Sequence, residues 1–186
     1  MKTMVFCALS ISLSLICPAP LPAQKLDLPD TFLQKLETAG IELAIPLDSD
    51  YRDVSVRRDA HLRYDFAMRS HREDLEIRFL LIPYDERQPA TAMPHIQATR
   101  AASTAATNDE EAIMTVLSVD DRLLAQCHAD WGMIYLFTPK IGFSDKRLGK
   151  MLALYREGQG TALIFFLFDD PGNTAADERE VALRFR

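Results

Sequence analysis

The chain has 186 residues, 48% of them hydrophobic and 26% charged, with 27 acidic side chains against 21 Lys and Arg. This length suits one ordinary domain whose core needs no metal or disulfide for stability. The formal charge of −6 argues against nucleic acid and against an anionic membrane surface as partners.

The first 23 residues have the pattern of an export signal. Lys2 supplies a positive start, residues 4–16 form an apolar run, and Ala23 is a small residue at a cleavage site. A membrane-spanning helix needs roughly 20 apolar residues, and this run is shorter and is followed by prolines. We therefore expect cleavage before Gln24, no transmembrane segment in the mature chain, and a periplasmic or extracellular location.

A lipid anchor on Cys17 is the alternative to simple cleavage. The residue before it, Ile16, is larger than the small residue usual at this position of bacterial lipoprotein signals. The sequence therefore favours a released protein over a lipid-anchored one.

Residues 24–186 are expected to form a single domain, because no repeat, low-complexity tract or linker interrupts them. Of the three cysteines, only Cys127 lies outside the signal, so an internal disulfide is excluded. Free cysteine is among the most buried residue types, and this predicts a core position for Cys127.

The first half of this domain predicts a helix, several strands and a second helix. Apolar spacing indicates a short amphipathic helix over residues 30–39. Alternation of apolar and polar residues indicates strands at 53–58, 62–69 and 74–83. The last of these strands becomes apolar on its second face, so we expect a helix to cover it, and the alanine-rich residues 92–107 fit that role.

The second half predicts mainly strands. Residues 113–119 and 123–127 favour two strands joined by an aspartate turn. Residues 131–138 are apolar on both faces, which predicts a central strand, and residues 161–168 have the composition of a strand buried on both faces.

Two segments fit either kind of secondary structure. The apolar residues of 148–156 suit a helix or a strand, although the glycines that follow favour a hairpin. The tail at 175–185 likewise fits either a helix or a strand. The whole pattern predicts an α+β fold in which an antiparallel β-sheet packs against a few helices.

No local motif for catalysis, cofactor binding or metal binding is found in the sequence. Cys127 and His128 would point to opposite faces of the predicted strand, so they cannot form a nucleophile and base pair. The histidines lack zinc-site spacing, and the aspartate pairs lack the rest of a calcium loop. We therefore predict no catalytic residue, cofactor or metal ligand.

Four residues are the candidates for a polar surface site. His128 and Asp130 would share one strand face beside Trp131, the single tryptophan. Glu76 and Arg78 belong to a stretch of interleaved charges that predicts a solvated, salt-bridging surface. The structural alternative for the first pair is that Trp131 anchors the core while the pair faces water.

The order of predicted elements resembles that of the PsbP/Mog1/DcrB-like α+β superfamily. Residues 44–83, 92–107 and 123–186 are similar to its strand hairpin, helix and closing antiparallel meander. This resemblance implies an accessory or assembly role on other proteins, and it transfers no functional residue.

The leading hypothesis is thus an exported, non-enzymatic accessory or binding module. Its partner would be a protein or small ligand of the cell envelope. The alternative is a secreted hydrolase whose active site is assembled from residues distant in sequence.

Overall fold

The computed structural model describes residues 26, 28–44, 50–55 and 62–186. The predicted signal at residues 1–23 lies outside the described residues, as do residues 56–58 of a predicted strand. Within the described residues no helix is long and apolar enough to cross a membrane.

The fold is α+β, as predicted, and its described part contains nine strands and four α-helices. The strands are β1 (Ile41–Leu43), β2 (Arg52–Asp53), β3 (Phe66–Ser70), β4 (Leu75–Pro83), β5 (Thr115–Ser118), β6 (Trp131–Phe137), β7 (Leu148–Arg156), β8 (Gly160–Phe168) and β9 (Leu183–Phe185). The helices are α1 (Asp30–Thr38), α2 (Pro94–Ala105), α3 (Asp121–Cys127) and α4 (Ala175–Glu178), with 3-10 turns at Pro89–Ala92 and Glu180–Ala182.

Seven strands form one antiparallel sheet in the order β2-β3-β4-β8-β7-β6-β5. The most apolar strand, β8, is at its centre, and all but one of its residues are buried. This position confirms the prediction for residues 161–168. The short strands β1 and β9 pair with each other as a separate antiparallel ribbon.

Successive residues of a strand face opposite sides, so the sheet divides the apolar side chains into two cores. Helices α1 and α3, with the β1–β9 ribbon, cover one side, where Phe32 stacks on Phe66 at 5.0 Å between ring centres. Helix α2 covers the other side. It presents four buried alanines to the sheet, Ala98, Ala101, Ala102 and Ala105.

Several sequence predictions are confirmed by these elements. Helix α1 corresponds to residues 30–39, and helix α2 corresponds to 92–107 and packs beside the half-buried Leu80 and Ile82. Residues 148–156, which fitted either element, form β7. The tail at 175–185 contains both, since α4 and a 3-10 turn precede β9.

The predicted strand at 123–127 is wrong, because these residues belong to α3. The Asp120 side chain caps the helix by accepting a hydrogen bond from the Leu123 amide at 2.7 Å. Leu123 and Cys127, one helical turn apart, are the buried residues of this helix. The prediction failed because the aspartates were interpreted as a turn between strands.

Two other strand predictions need correction. Strand β6 lies second from an edge of the sheet instead of at its centre, and its Leu136 side chain is 38% exposed. Strand β3 begins at Phe66, so residues 62–65 precede it. In both cases the alternation was identified correctly, but the position in the sheet depends on distant strands.

Candidate functional site

An open apolar groove lies over the β5–β6–β7 end of the sheet. Its floor follows the strand register, in which Leu136 of β6 lies between Thr115 of β5 and Lys150 of β7. The groove has a volume of about 500 Å³. Its apolar lining comes from three strands, the end of β8 and the loop before α4: Leu117, Ile134, Leu136, Leu148, Phe168 and Pro171.

Among the described residues, the cover of this sheet face is incomplete over the groove. Ile134 still contacts the core beneath α3, whereas Leu136 and Leu117 are 38% and 47% exposed. Ile113, just before β5, is 80% exposed at the same groove. Clustered apolar side chains that remain exposed in a folded protein mark a surface for binding.

Lys150 supplies the cation of the groove. Its side chain is 8% exposed, and its Nζ contacts Glu180 Oε1 at 2.6 Å and also the Asp177 carboxylate. Both partners lie in or next to α4. The pair of carboxylates neutralises a lysine that the apolar floor of β7 would otherwise leave without solvation.

Cys127 lies close to this ion pair but away from solvent. Its side chain is buried, and its Sγ lies 3.9 Å from the Glu180 carbonyl oxygen. Burial, together with the charge of Glu180, raises the pKa of the thiol to about 11. The predicted core position of Cys127 is confirmed, and a thiol with such a pKa is protonated near neutral pH.

Glu76 and Arg78 are not at the surface, so the predicted solvated face is wrong at these residues. Glu76 is 0% exposed and Arg78 is 2% exposed. Arg78 Nε donates to Glu76 Oε1 at 2.7 Å, and Arg69 Nε donates to the other carboxylate oxygen at 2.9 Å. Two arginines therefore share one buried carboxylate.

Aromatic rings explain why this charged group can be buried. The Arg78 guanidinium carbon lies 4.8 Å from the ring centre of Tyr64 and 4.7 Å from that of Phe143. Arg78 Nη1 also donates to the Phe143 carbonyl at 2.5 Å. Because Phe143 is distant along the chain, the local pattern of β4 could not indicate that its ring would cover Arg78.

The strand face predicted for His128 and Asp130 is wrong, because both residues precede β6; both are exposed, and a polar surface site there stays a prediction. His128 is the C-cap of α3 in the left-handed conformation, and its Nδ1 bonds to the Phe185 carbonyl oxygen at 2.7 Å. Asp130 accepts a hydrogen bond from the Glu157 amide at 2.8 Å. Both side chains are thus engaged in holding the ends of other elements.

Trp131, beside them, is partly buried against the core under α2. This position agrees with the structural alternative in which Trp131 packs inside.

The sequence predictions did not include the groove or the Lys150 cluster. The available signal was the run of apolar residues at 113–119 next to acidic ones, which predicted a strand without showing that it lies at an edge.

Within the described residues, no three His, Cys, Asp or Glu side chains are arranged to hold a metal ion.

Compared with known proteins, the chain matches no family model, no curated protein and no solved structure.

Proposed function

We propose that the protein is an exported binding module that holds an apolar part of a protein or small ligand in the groove. The observation that carries this proposal is the apolar floor of the groove, in which Leu117 and Leu136 are exposed beside the half-buried Ile134. The volume of about 500 Å³ falls within the range of ligand sites. Burying such a floor against a partner removes apolar area from water and stabilises the complex.

The polar groups of the groove support binding over catalysis. Its titratable lining residues are Lys150 and Asp177, and these pair with each other. A hydrolase, the alternative function, needs titratable groups directed at a substrate. A cation already paired with two carboxylates is a poor general acid or base.

Binding of an uncharged environment-sensitive dye, Nile red, tests the groove directly. We expect dye fluorescence to rise with the native protein and to be lost with Leu136→Glu, because a carboxylate on the floor opposes apolar binding. Ile96→Glu is the matched control, since Ile96 is 48% exposed on α2, outside the groove lining. Equal fluorescence with both variants would contradict the proposal.

The location is proposed from the pattern of residues 1–23 and has its own test. The intact mass of the protein purified from its native cells should correspond to a chain that starts at Gln24. An acylated chain starting at Cys17 would instead indicate a lipid anchor. A chain that starts at Met1 and is recovered from the cytosol would contradict export.

A photo-crosslinking residue at position 136 extends the test to the native partner. In intact cells it should give a discrete adduct that the same residue at position 96 does not give. Failure to see any difference between the two positions would argue against the groove as the binding surface.

A further inference from the structure

Strand β5 is the last strand of the large sheet in the described part of the chain. The Val119 amide donates to the Gly132 carbonyl of β6 at 3.2 Å, and inward and outward main-chain groups alternate along an antiparallel strand. The N–H and C=O groups of Val116 and Ser118 therefore face outward. No strand of the described residues pairs with this edge.

The side chains of β5 are unusually apolar for an edge. All four residues of the strand are exposed, with Val116 at 45% and Leu117 at 47%. Leu117 faces the groove, and Val116 faces the opposite side of the sheet. Edge strands of soluble proteins are generally protected by short length, charges, prolines or bulges; β5 is short, but its four residues contain no charge, proline or bulge.

The charges lie at the two ends of β5 instead. Asp109, Glu110 and Glu111 precede the strand, and Asp120 and Asp121 follow it. The segment 107–122 contains one cation, Arg122, so its formal charge is −4. Within the described part of the chain, none of these five carboxylates forms an ion pair.

We propose that the partner binds as an extended peptide that adds a strand to β5, with apolar residues at alternate positions and basic residues at both ends. Its main chain would bond to Val116 and Ser118, and one face of its side chains would enter the groove. The basic ends would complement the acidic flanks of β5. This inference rests on the proposed function and names the partner's chemistry.

A second copy of the chain fits this edge less well. Antiparallel pairing of two β5 strands would bring the acidic residues before one strand to those after the other. Like charges placed together oppose association. The same charges favour a cationic partner, which is why a basic peptide is the chosen occupant.

A synthetic peptide of about ten residues tests this inference. It carries alternating valine and threonine, two lysines at each end and a fluorescent label, and fluorescence anisotropy reports its binding to the native protein. We expect binding that weakens as salt is raised, and an affinity lower by about tenfold or more when glutamates replace the lysines. Equal affinity of the basic and acidic peptides would overturn the proposal.

N-methylation of alternate peptide amides tests strand addition without changing the protein. In an added strand, only every second N–H points to β5. Methylation of one set should therefore abolish binding, whereas methylation of the other set should leave most of it. Loss with both sets, or with neither, would overturn strand addition.

The variant Val116→Pro removes an outward donor without removing a bond to β6, because edge prolines are tolerated where the N–H faces solvent. It should lose peptide binding but keep the binding of Nile red in the groove, and Val116→Thr should keep both.

If the native protein binds the dye but not the peptide, only this inference fails. If it binds neither, the proposed function fails as well. A dimer that Val116→Pro disrupts would overturn the proposal in favour of a second copy.

Discussion

The two ends of the large sheet differ in which side chains they bury and which they leave exposed. At the β3–β4 end, Glu76 and Arg78 are buried as an ion pair, and aromatic rings lie against the Arg78 guanidinium. At the β5–β6 end, apolar residues such as Leu136 remain exposed, and within the described residues the acidic side chains that flank β5 form no ion pair. The difference teaches that polarity in the sequence does not report burial, and that the open end is the one available for a partner.

A second network of polar contacts stabilises the β3–β4 end of the sheet, which we call the closed end; the β5–β6 end is the open end. Glu73 binds Arg179 and accepts a hydrogen bond from the Tyr51 hydroxyl at 2.7 Å. Burial by itself would raise the pKa of Glu73, but the bonds from Arg179 and Tyr51 lower it below its ordinary value. This ion pair connects the loop after β3 to the segment after α4. The closed end is therefore built for stability.

The largest expected effect comes from breaking the closed end. Glu76→Gln keeps the shape of the side chain but leaves the buried Arg78 guanidinium without its carboxylate, and we expect the free energy of unfolding to fall by about 3–5 kcal/mol. Urea denaturation measures this loss. Glu42→Gln is the matched control, since the Glu42–Arg184 pair is exposed to solvent and should contribute little to stability. Similar losses from both variants would contradict the distinction between the two ends.

The sequence predicted the elements whose signals are local. The alanines of α2 and the apolar run of β8 each carry their own pattern, so these elements needed no information from elsewhere. Helix α3 was missed, because Asp120 suits a turn as well as a helix cap. The burial of Glu76 and the exposure of Leu136 could not be predicted, since each depends on which distant segment lies over it.

The next effect concerns Cys127, the buried last residue of α3. Because burial raises its pKa from 9.0 to about 11, the folded state favours the protonated thiol. Its contribution is therefore fully present below pH 9 and is lost as pH rises toward about 11, by up to about 2–3 kcal/mol. The free energy of unfolding measured across this range should fall more steeply for the native protein than for Cys127→Ala.

Thiol labelling tests the same burial independently. A maleimide should react slowly with Cys127 in the native protein and quickly after denaturation. Fast labelling of the native protein would contradict the core position of this residue.

A smaller effect is expected at the floor of the groove. Lys150→Met removes the cation from between Asp177 and Glu180, and we expect a loss of about 1–2 kcal/mol, because the Asp177 side chain is 72% exposed whereas that of Glu180, at 18%, is left largely buried without its cation. The longer apolar floor should bind Nile red more tightly than the native protein does. Lys150→Arg, which retains the charge, should leave dye binding close to native. Weaker dye binding by Lys150→Met would show that the lysine itself holds the ligand.

The smallest effect on stability, and the sharpest test of the open end, comes from its acidic flank. Glu110 and Glu111 are exposed and form no ion pair within the described residues. Replacing both with glutamine should change the free energy of unfolding by less than about 0.5 kcal/mol. The affinity for the lysine-flanked peptide should nevertheless fall, and its salt dependence should become shallower, because long-range attraction is lost. Glu86 is an exposed acid in the loop before α2, and Glu86→Gln should change neither the affinity for the peptide nor its salt dependence. If it weakens peptide binding as much, the attraction comes from the net charge of the protein and not from the edge of β5.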